Sequence, residues 1–446
     1  MADSQPTLSS LAAKITELSN DFTTFLTENK IPQPTFAADS PTSYNGLTAE
    51  SFVLRQRLLD SLMDMWYLVQ GPSESVFNFA HTVMPDTAAL NILNHFDFWS
   101  AVPLDGTASY ADIAKHTSLP EEVVQRVLEH AVTLRIFSEK EPKQSPTLIE
   151  HTSRSAALAK SAGLRALVSA IVDDSGAPMM VMTEALRKYS YGKPNLSPEM
   201  SETAFALLRS GGGLGKYANS WDLIENDGEG ERKGWRQRSF VDFMSYLREI
   251  FRYEEIIERA YDWEAAGDIN VVDLGGSAGH DSFALARKHP NLTITIQDLA
   301  EVQPVFEKIR PAEVESQVSF MVHDFFQPQT VSADVYLIKV ILHDWPDKEA
   351  IKILRGLVPA LRPGARVLFI DYVGKQSEAE ETPLPRSIKQ MGTATDLRMM
   401  ALFNGKERPV EAWKEIFRAA DERFEIARVE ANPLTFFVVM EAVWRG

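Results

Sequence analysis

The chain has 446 residues, 44% of them hydrophobic and 24% charged, with a formal net charge of −17 and no cysteine. That length carries two or three domains with sizeable cores. The acidity argues against a nucleic-acid partner, and the missing thiols exclude disulfides and thiolate metal sites.

The opening MADSQPTLSS lacks the basic-then-apolar pattern of a leader, and no apolar run approaches the ~20 residues of a membrane span. A soluble, cytoplasmic protein with no membrane partner is expected. Residues 8–28 carry a weak amphipathic helical pattern, followed by the Pro/Ser/Thr-rich linker IPQPTFAADSPTSYNG. A second helix is expected over 48–70. Leu54, Leu58, Leu62, Met65 and Val69 recur at three- and four-residue spacing, and Gly71-Pro72 supplies a stop. Several short helices are expected from 85 to about 160. TASYADIAKHTSLPEEVVQRVLEHAVTLRIFSE reads as helix, turn, helix, with Ser118 and Glu121 in a capping box. This outline raises DNA binding. The helix that would enter a groove, however, opens on Glu121-Glu122 and carries a single arginine, Arg126. A phosphate-facing helix should not be acidic there, so the segment reads as a winged-helix packing module.

Further helices are expected over 185–260, interrupted by ENDGEGERKG (225–234), a solvated loop by composition. After 268 the apolar runs INVVDL, LTITIQ, QVSFMV, DVYLIKV and ARVLFID alternate with helical patterns, the signature of a parallel sheet covered by helices. ERFEIARVE and PLTFFVVMEAVW close the chain as two antiparallel strands joined at Asn432-Pro433. The expected organisation is an arm and linker (1–45), a helical domain (46–185) and an α/β domain (186–446).

In VVDLGGSAGHDSFALA (271–286) a strand runs into paired glycines and then a helix. The dinucleotide fingerprint G-x-G-x-x-G is incomplete, because Ser277 stands where its second glycine lets backbone approach a pyrophosphate. Gly275 and Gly276 leave room for a ligand without phosphates. Asp298 ends the second strand, where a carboxylate accepts ribose hydroxyls. Asp324 ends the third, suited to an adenine amino group, with Phe325 to pack on the ring. Glycines, ribose acid and adenine acid in this order fit an adenosine ligand lacking a pyrophosphate, with S-adenosylmethionine the leading candidate.

The motifs DLGGSAGH, QDL, HDFF, LHDWPD and NGKERP, with DVYLIKVILHDWPDKEAIKILRGLVPALRPGARVLFIDYV between them, resemble the caffeic-acid-type small-molecule O-methyltransferases, in their fungal secondary-metabolism branch. The resemblance runs over roughly residues 45–446. It implies an α/β fold: a Rossmann-like class I methyltransferase sheet with an N-terminal all-helical winged-helix dimerisation domain, assembled as a homodimer. It also implies that Gly275, Asp298, Asp324, Phe325 and Lys339 contact S-adenosylmethionine. His343 matches the general base, and Asp371 and Glu407 match the carboxylates flanking it. Asp371 stands where relatives often carry glutamate, and Pro409 where they often carry threonine.

The chemistry is consistent with that implication. A phenol titrates near ~10 and a free histidine near ~6.5, so ground-state deprotonation is uphill by roughly 5 kcal/mol. The proton is therefore expected to move as the oxygen reacts, with a carboxylate stabilising the imidazolium. His280, His289 and His323 read as structural, and Trp345 as packing. Phe240, Met244, Asp344, Met399 and Asn404 are candidates for the acceptor pocket. No histidine and acid cluster has metal-ligand spacing, so no metal is expected. The alternative activity is that of the branch's pericyclases, which retain the cofactor as an electrostatic or structural group. There the sulfonium and a lysine or histidine would serve as electrostatic and hydrogen-bonding groups during dehydration, Alder-ene or hetero-Diels-Alder closure, with Lys339 able to polarise a carbonyl.

Overall fold

The structure is a computed structural model and describes residues 5–141, 145–210, 215–373, 384–432 and 437–446. It divides into two compact units, residues 1–174 with 385–388, and 175–384 with 389–446. The boundary thus falls at 174/175, where the sequence pattern suggested 185/186, and the arm belongs to the first unit.

In the first unit, α1 (Leu8–Glu28) and α2 (Ala49–Gln70) each open on a reciprocal capping box, Thr7 with Ser10 and Thr48 with Ser51. Gly71 ends α2 at φ 78, but Pro72 at once begins α3 (Pro72–His95). Proline is pre-shaped for a first helical turn, so the pair redirects the chain into a 24-residue helix, and the short helices expected before 160 follow it at Phe98–Ala101, Tyr110–Thr117, Glu121–Thr133 and Ser153–Lys160. The apolar stripe of α2 is only partly inward, since Leu62 and Val69 are 44% and 67% exposed. No single described helix is long and apolar enough to cross a membrane.

The helix-turn-helix is α4 (Tyr110–Thr117) and α5 (Glu121–Thr133). It packs with the antiparallel strands β1 (Ala108–Ser109), β2 (Phe137–Glu139) and β3 (Leu148–His151), in the order β1-β3-β2. The Ser118–Glu121 capping box does not form. Ser118, at φ 58, terminates α4, and the N-cap of α5 is Pro120, whose ring has no acceptor. The box stands one helix earlier, between Ser109 and Asp112. Leu93, Phe98, Trp99, Ile113, Val124 and Leu128 form the core of this unit.

The second unit places α6 (Ser220–Asn226) and α7 (Trp235–Phe251) before a seven-stranded sheet. The loop between them is solvated at its tip only. Asp227 accepts from the Tyr217 hydroxyl at 2.9 Å and from Arg236 Nε at 2.6 Å, which closes its base. The strands are β4 (Ile269–Leu274), β5 (Leu292–Asp298), β6 (Val318–Val322), β7 (Val335–Lys339), β8 (Arg366–Tyr372), β9 (Phe424–Asn432) and β10 (Phe437–Trp444). Their order is β6-β5-β4-β7-β8-β10-β9, parallel through β8, with β10 antiparallel to both neighbours.

These are the apolar runs expected from sequence; the turn at Pro433 lies outside the described residues. Val272, Ile294, Ile296, Val335, Ile338, Val367 and Phe369 are fully enclosed, as strands covered on both faces require. The chain runs outward from β4 to β6, then returns to β7 on the other side. That order reversal opens the ligand crevice of such sheets at the carboxyl ends of the strands. The glycine turn, Asp298, Asp324, His343 and Asp371 all follow or end strands at this edge. The helices around it include α8 (His280–Lys288), α9 (Asp347–Leu357), α10 (Arg386–Phe403) and α11 (Val410–Ala420).

Candidate active site

After β4 the backbone enters the left-handed region at Gly275 (φ 69), Ser277 (φ 51) and Gly279 (φ 88). A Cβ on Gly275 would lie 2.6 Å from Ile341 Cδ1, and one on Gly276 2.5 Å from the Asp273 carboxylate. Close packing dictates both glycines, and at Gly275 the left-handed conformation does so as well. Burial pushes Asp273 up to about 6, against the Ser282 hydroxyl that donates to it at 2.7 Å.

Asp298 accepts the N–H of Ser277 on one oxygen and that of Leu299 on the other, each at 2.8 Å. Each oxygen keeps a lone pair for a ribose hydroxyl. Burial raises its pKa, opposed by those two backbone donors. Asp324 accepts the Phe326 N–H at 2.9 Å, and Phe325 packs edge-on to Trp345. Lys339 commits its ammonium inside the fold, to Asp281 at 3.0 Å and to the face of Tyr253 at 4.5 Å. Two strand-end carboxylates, an aromatic ring and a turn without basic side chains fit an adenosyl sulfonium better than a nucleotide phosphate. Glu225, at the end of α6, is also raised by burial and by Glu301, Asp222 and Asp298, a neighbour of the ribose acid that the sequence did not single out.

On the other side of β4, Val340 leaves β7 at φ 55, a strained conformation for a β-branched residue. Its N–H still bonds to the Ile370 carbonyl at 2.8 Å, so β8 holds the strain in place. The turn that follows presents His343, buried, with Nδ1 3.0 Å from Glu407 Oε1 and Nε2 3.5 Å from Asp344 Oδ1. Asp371 does not reach the ring. One of its oxygens accepts the backbone N–H groups of Leu342 and His343 at 3.1 and 3.2 Å. The shorter aspartate thus fixes the turn that carries the histidine. Tyr372 stacks on the imidazole at 5.4 Å between centroids.

Burial alone would hold His343 neutral. The pull of Asp344, then Glu407 and Asp371, overrides it and raises the imidazole to about 10. Asp344 and Asp371 rise to about 6, chiefly through burial, with His343 pulling each back down.

Two arginines missed in the sequence belong to this region. Arg408 is fully buried. Its guanidinium bonds to Asp347 Oδ1 (2.9 Å) and to the carbonyls of Trp345 (2.7 Å) and Leu342 (3.3 Å), and lies over Trp413. It staples the His343 turn to the segment carrying Glu407, whose own N–H donates to Asp396 at 2.8 Å. Arg398 is coupled electrostatically to Tyr372, Glu407 and Asp344. The GKER run placed Arg408 beside Glu407 and was a usable signal; nothing local marked Arg398. Pro409 serves as N-cap of α11.

The pocket candidates separate. Asp344 sits against the histidine. Phe240 joins Trp221 and Phe243 in an aromatic cluster, at 5.7 and 5.8 Å, and Met244 beside it is half-buried. Met399 belongs to a packed core with Phe205, Leu223, Leu402 and Phe403 rather than to an open wall. Asn404, at φ 52, gives its amide to the Glu199 carbonyl at 2.9 Å, so its role is to anchor the end of α10.

A profile of the O-methyltransferase domain matches residues 233–422. The O-methyltransferase lcsG of Purpureocillium lilacinum is 43% identical over 97% of this chain and 92% of its own. The chain belongs to the O-methyltransferase family. Among solved structures, LepI in complex with SAM superposes with a TM-score of 0.67 at 18% identity, covering 98% of this chain and 100% of its own. A protein described as a pericyclic reaction enzyme superposes with a TM-score of 0.65 at 20% identity, covering 88% and 95%. Both likenesses establish the mixed α/β methyltransferase fold.

For an O-methyltransferase, the elevated imidazole has a direct consequence. At about 10 it is level with a phenol near ~10, so transfer of a proton between the two is close to thermoneutral. The geometry suits stabilisation of the imidazolium that forms as the oxygen reacts.

Proposed function

We propose that this enzyme transfers a methyl group from S-adenosylmethionine to a hydroxyl of an aromatic or polyketide-derived metabolite, with His343 as the proton acceptor. The observation that carries the reading is the buried His343–Glu407 contact at the strand edge next to the glycine turn. Gly275, Gly276, Asp298, Asp324 and Phe325 would hold the cofactor; Lys339 would brace the turn through Asp281. When bound, the sulfonium supplies an electrophilic methyl group. His343 takes the hydroxyl proton, Glu407 and Asp344 stabilise the imidazolium, and Asp371 keeps the turn in register. Incubation of purified protein with methyl-labelled cofactor and a panel of phenolic acceptors tests this. Labelled product with stoichiometric S-adenosylhomocysteine is expected.

The second reading is pericyclic chemistry. One observation favours it: an imidazole raised to about 10 is a hydrogen-bond acid at rest. Substrate cyclisation without release of S-adenosylhomocysteine would replace the methyl-transfer reading with this one.

We also propose that the first unit is a winged-helix dimerisation module. Trp66, Val69, Val76, Phe77 and Phe79 on α2 and α3 are 63–69% exposed, a larger apolar surface than monomers usually leave open. A second copy of this chain is the expected cover. Trp66→Glu with Phe77→Glu should turn a sedimenting dimer into a monomer, and an unchanged molecular weight would refute the assignment.

A further inference from the structure

Gln297 lies in β5, one residue before Asp298, and Gln329 in the loop that follows β6 and carries Asp324 and Phe325. Both side chains are enclosed, at 1% and 4% exposure. Packing alone favours an apolar residue at such positions, because an interior amide is tolerated only when its hydrogen bonds are made. Here they are made reciprocally. Gln297 Nε2 donates to Gln329 Oε1 at 3.0 Å, and Gln329 Nε2 donates to Gln297 Oε1 at 2.7 Å. Gln329 Oε1 also accepts the backbone N–H groups of Thr330 and Val331, at 3.0 and 2.9 Å. Those N–H groups can only donate, so they fix which amide atom is the oxygen, and the pair has one self-consistent orientation. The adjoining backbone reaches the glycine turn and the Asp324 loop. The Gln297 carbonyl accepts the Gly275 N–H at 2.8 Å, and the Asp298 carbonyl accepts that of His323 at 2.9 Å. The Gln329 N–H donates to the Gly356 carbonyl at 2.8 Å, and a Cβ on Gly356 would lie 3.3 Å from the carbonyls of Phe325 and Gln327. The Asp324 loop is thus clamped between β5 and α9.

We infer that the Gln297–Gln329 pair positions the Asp324 loop against β5, and so determines how strongly the site selects the 6-amino group of an adenine. This rests on the reading of Asp298 and Asp324 as the ribose and adenine acids. The two amides are positioning residues that act through Asp324. Strand pairing between β5 and β6 ends at Asp298–Val322, so beyond Val322 the sheet no longer holds the chain. The His323 N–H and the amide pair tie it back to β5. A hydrogen bond to the Asp324 carboxylate weakens steeply as its distance and angle drift. Asp298 does not share that dependence, because it stands on β5 and is fixed by Ser277 and Leu299. The pair therefore governs choice of base and leaves the ribose contact alone.

Calorimetry of the full chain with S-adenosylhomocysteine, and with its analogue lacking only the 6-amino group, reads the effect. The wild type should bind the amino form about tenfold more tightly or better. Gln329→Leu removes the acceptor of Thr330 and Val331 as well as the pair. It should cut that preference to about twofold and leave affinity for the amino-free probe within about threefold. Gln297→Leu, which leaves both N–H contacts in place, should fall between. The double variant leaves neither amide buried beside an apolar replacement, so its denaturation midpoint should recover relative to Gln329→Leu while its preference stays low. Where Gln329→Leu alone fails to fold, the double variant carries the same comparison. Equal losses for both probes, or a preference that returns with stability in the double variant, would mark the pair as packing only and overturn the inference. A wild type and variants that all prefer the amino form to the same degree refute the positioning role alone. A wild type that binds both probes equally refutes Asp324 as the adenine acid and the inference with it.

Discussion

At the ends of β4, β5 and β6 the acids are held by groups close in sequence: the glycine turn, the helix that follows it, and their own strand ends. Asp298 is fixed by Ser277 and Leu299, Asp324 by Phe326, and Asp273 by Ser282. At the ends of β7 and β8 the partners come from far along the chain. His343 meets Glu407 across 64 residues, and Arg408 reaches back 61 to Asp347. On the proposed reading the first edge is a receptor whose acids already accept local hydrogen bonds. The second is a cage of opposed charges whose protonation each member controls in the others. A binding edge tolerates loss of one contact; a proton-transfer cage does not.

The largest expected effect follows from that difference. His343→Gln should reduce methyl transfer by about 10²- to 10⁴-fold while cofactor affinity by calorimetry stays within twofold. A comparable loss of cofactor binding would show that the two edges are one site energetically. Next comes Arg408→Met. It leaves Asp347 and the carbonyls of Leu342 and Trp345 without their donor. Chemical denaturation should record a loss of about 2 kcal/mol, in the range for leaving buried carbonyls without their donor. Unchanged stability would mean that the two segments hold together without the staple.

The same contrast explains what was legible in the sequence. The strands announce themselves because each is buried on both faces, so apolar runs survive intact, and an acid ending such a run falls at the ligand edge by geometry. Gly275, Asp298 and Asp324 were readable on those grounds. His343, Asp371 and Glu407 were readable only as matches to family motifs, and the geometry changed what Asp371 does: it grips backbone, not imidazole. Arg398 and the strain at Val340 left no local trace, since a lone arginine on a helix and a valine after a strand look ordinary. Met399 misled because helical spacing puts core and pocket residues on the same pattern. The Ser118 box misled because a left-handed serine can end one helix instead of starting the next.

A smaller effect is expected at the receptor edge. Asp298→Asn keeps the shape and one carbonyl acceptor, so cofactor affinity should fall by roughly ten- to hundredfold, with kcat recovered at saturating cofactor. An irrecoverable kcat would place Asp298 in the proton-transfer cage after all.

The finest distinction concerns protonation. The folded pKa of His343, about 10, lies above its ordinary 6.5. The charged ring therefore contributes stability that is fully present below pH 6.5 and is lost as pH rises through about 10. Asp344 and Asp371, raised to about 6 mainly by burial, act in the opposite sense: their ionisation weakens the fold as pH rises from about 4 to 6. Melting temperature should thus fall steadily between roughly pH 6.5 and 10 and level off above it. Glu407→Gln removes one of the three carboxylates acting on the ring, so the decline should level off about one pH unit earlier. The imidazole resonance of His343, followed by NMR, should titrate lower by the same interval. Cofactor binding brings a second positive charge to the site and should displace that titration downward again, toward the pH at which a neutral base is available. A titration indifferent to both Glu407 and the cofactor would mean that the ring is governed by burial alone, and that the two edges share no field.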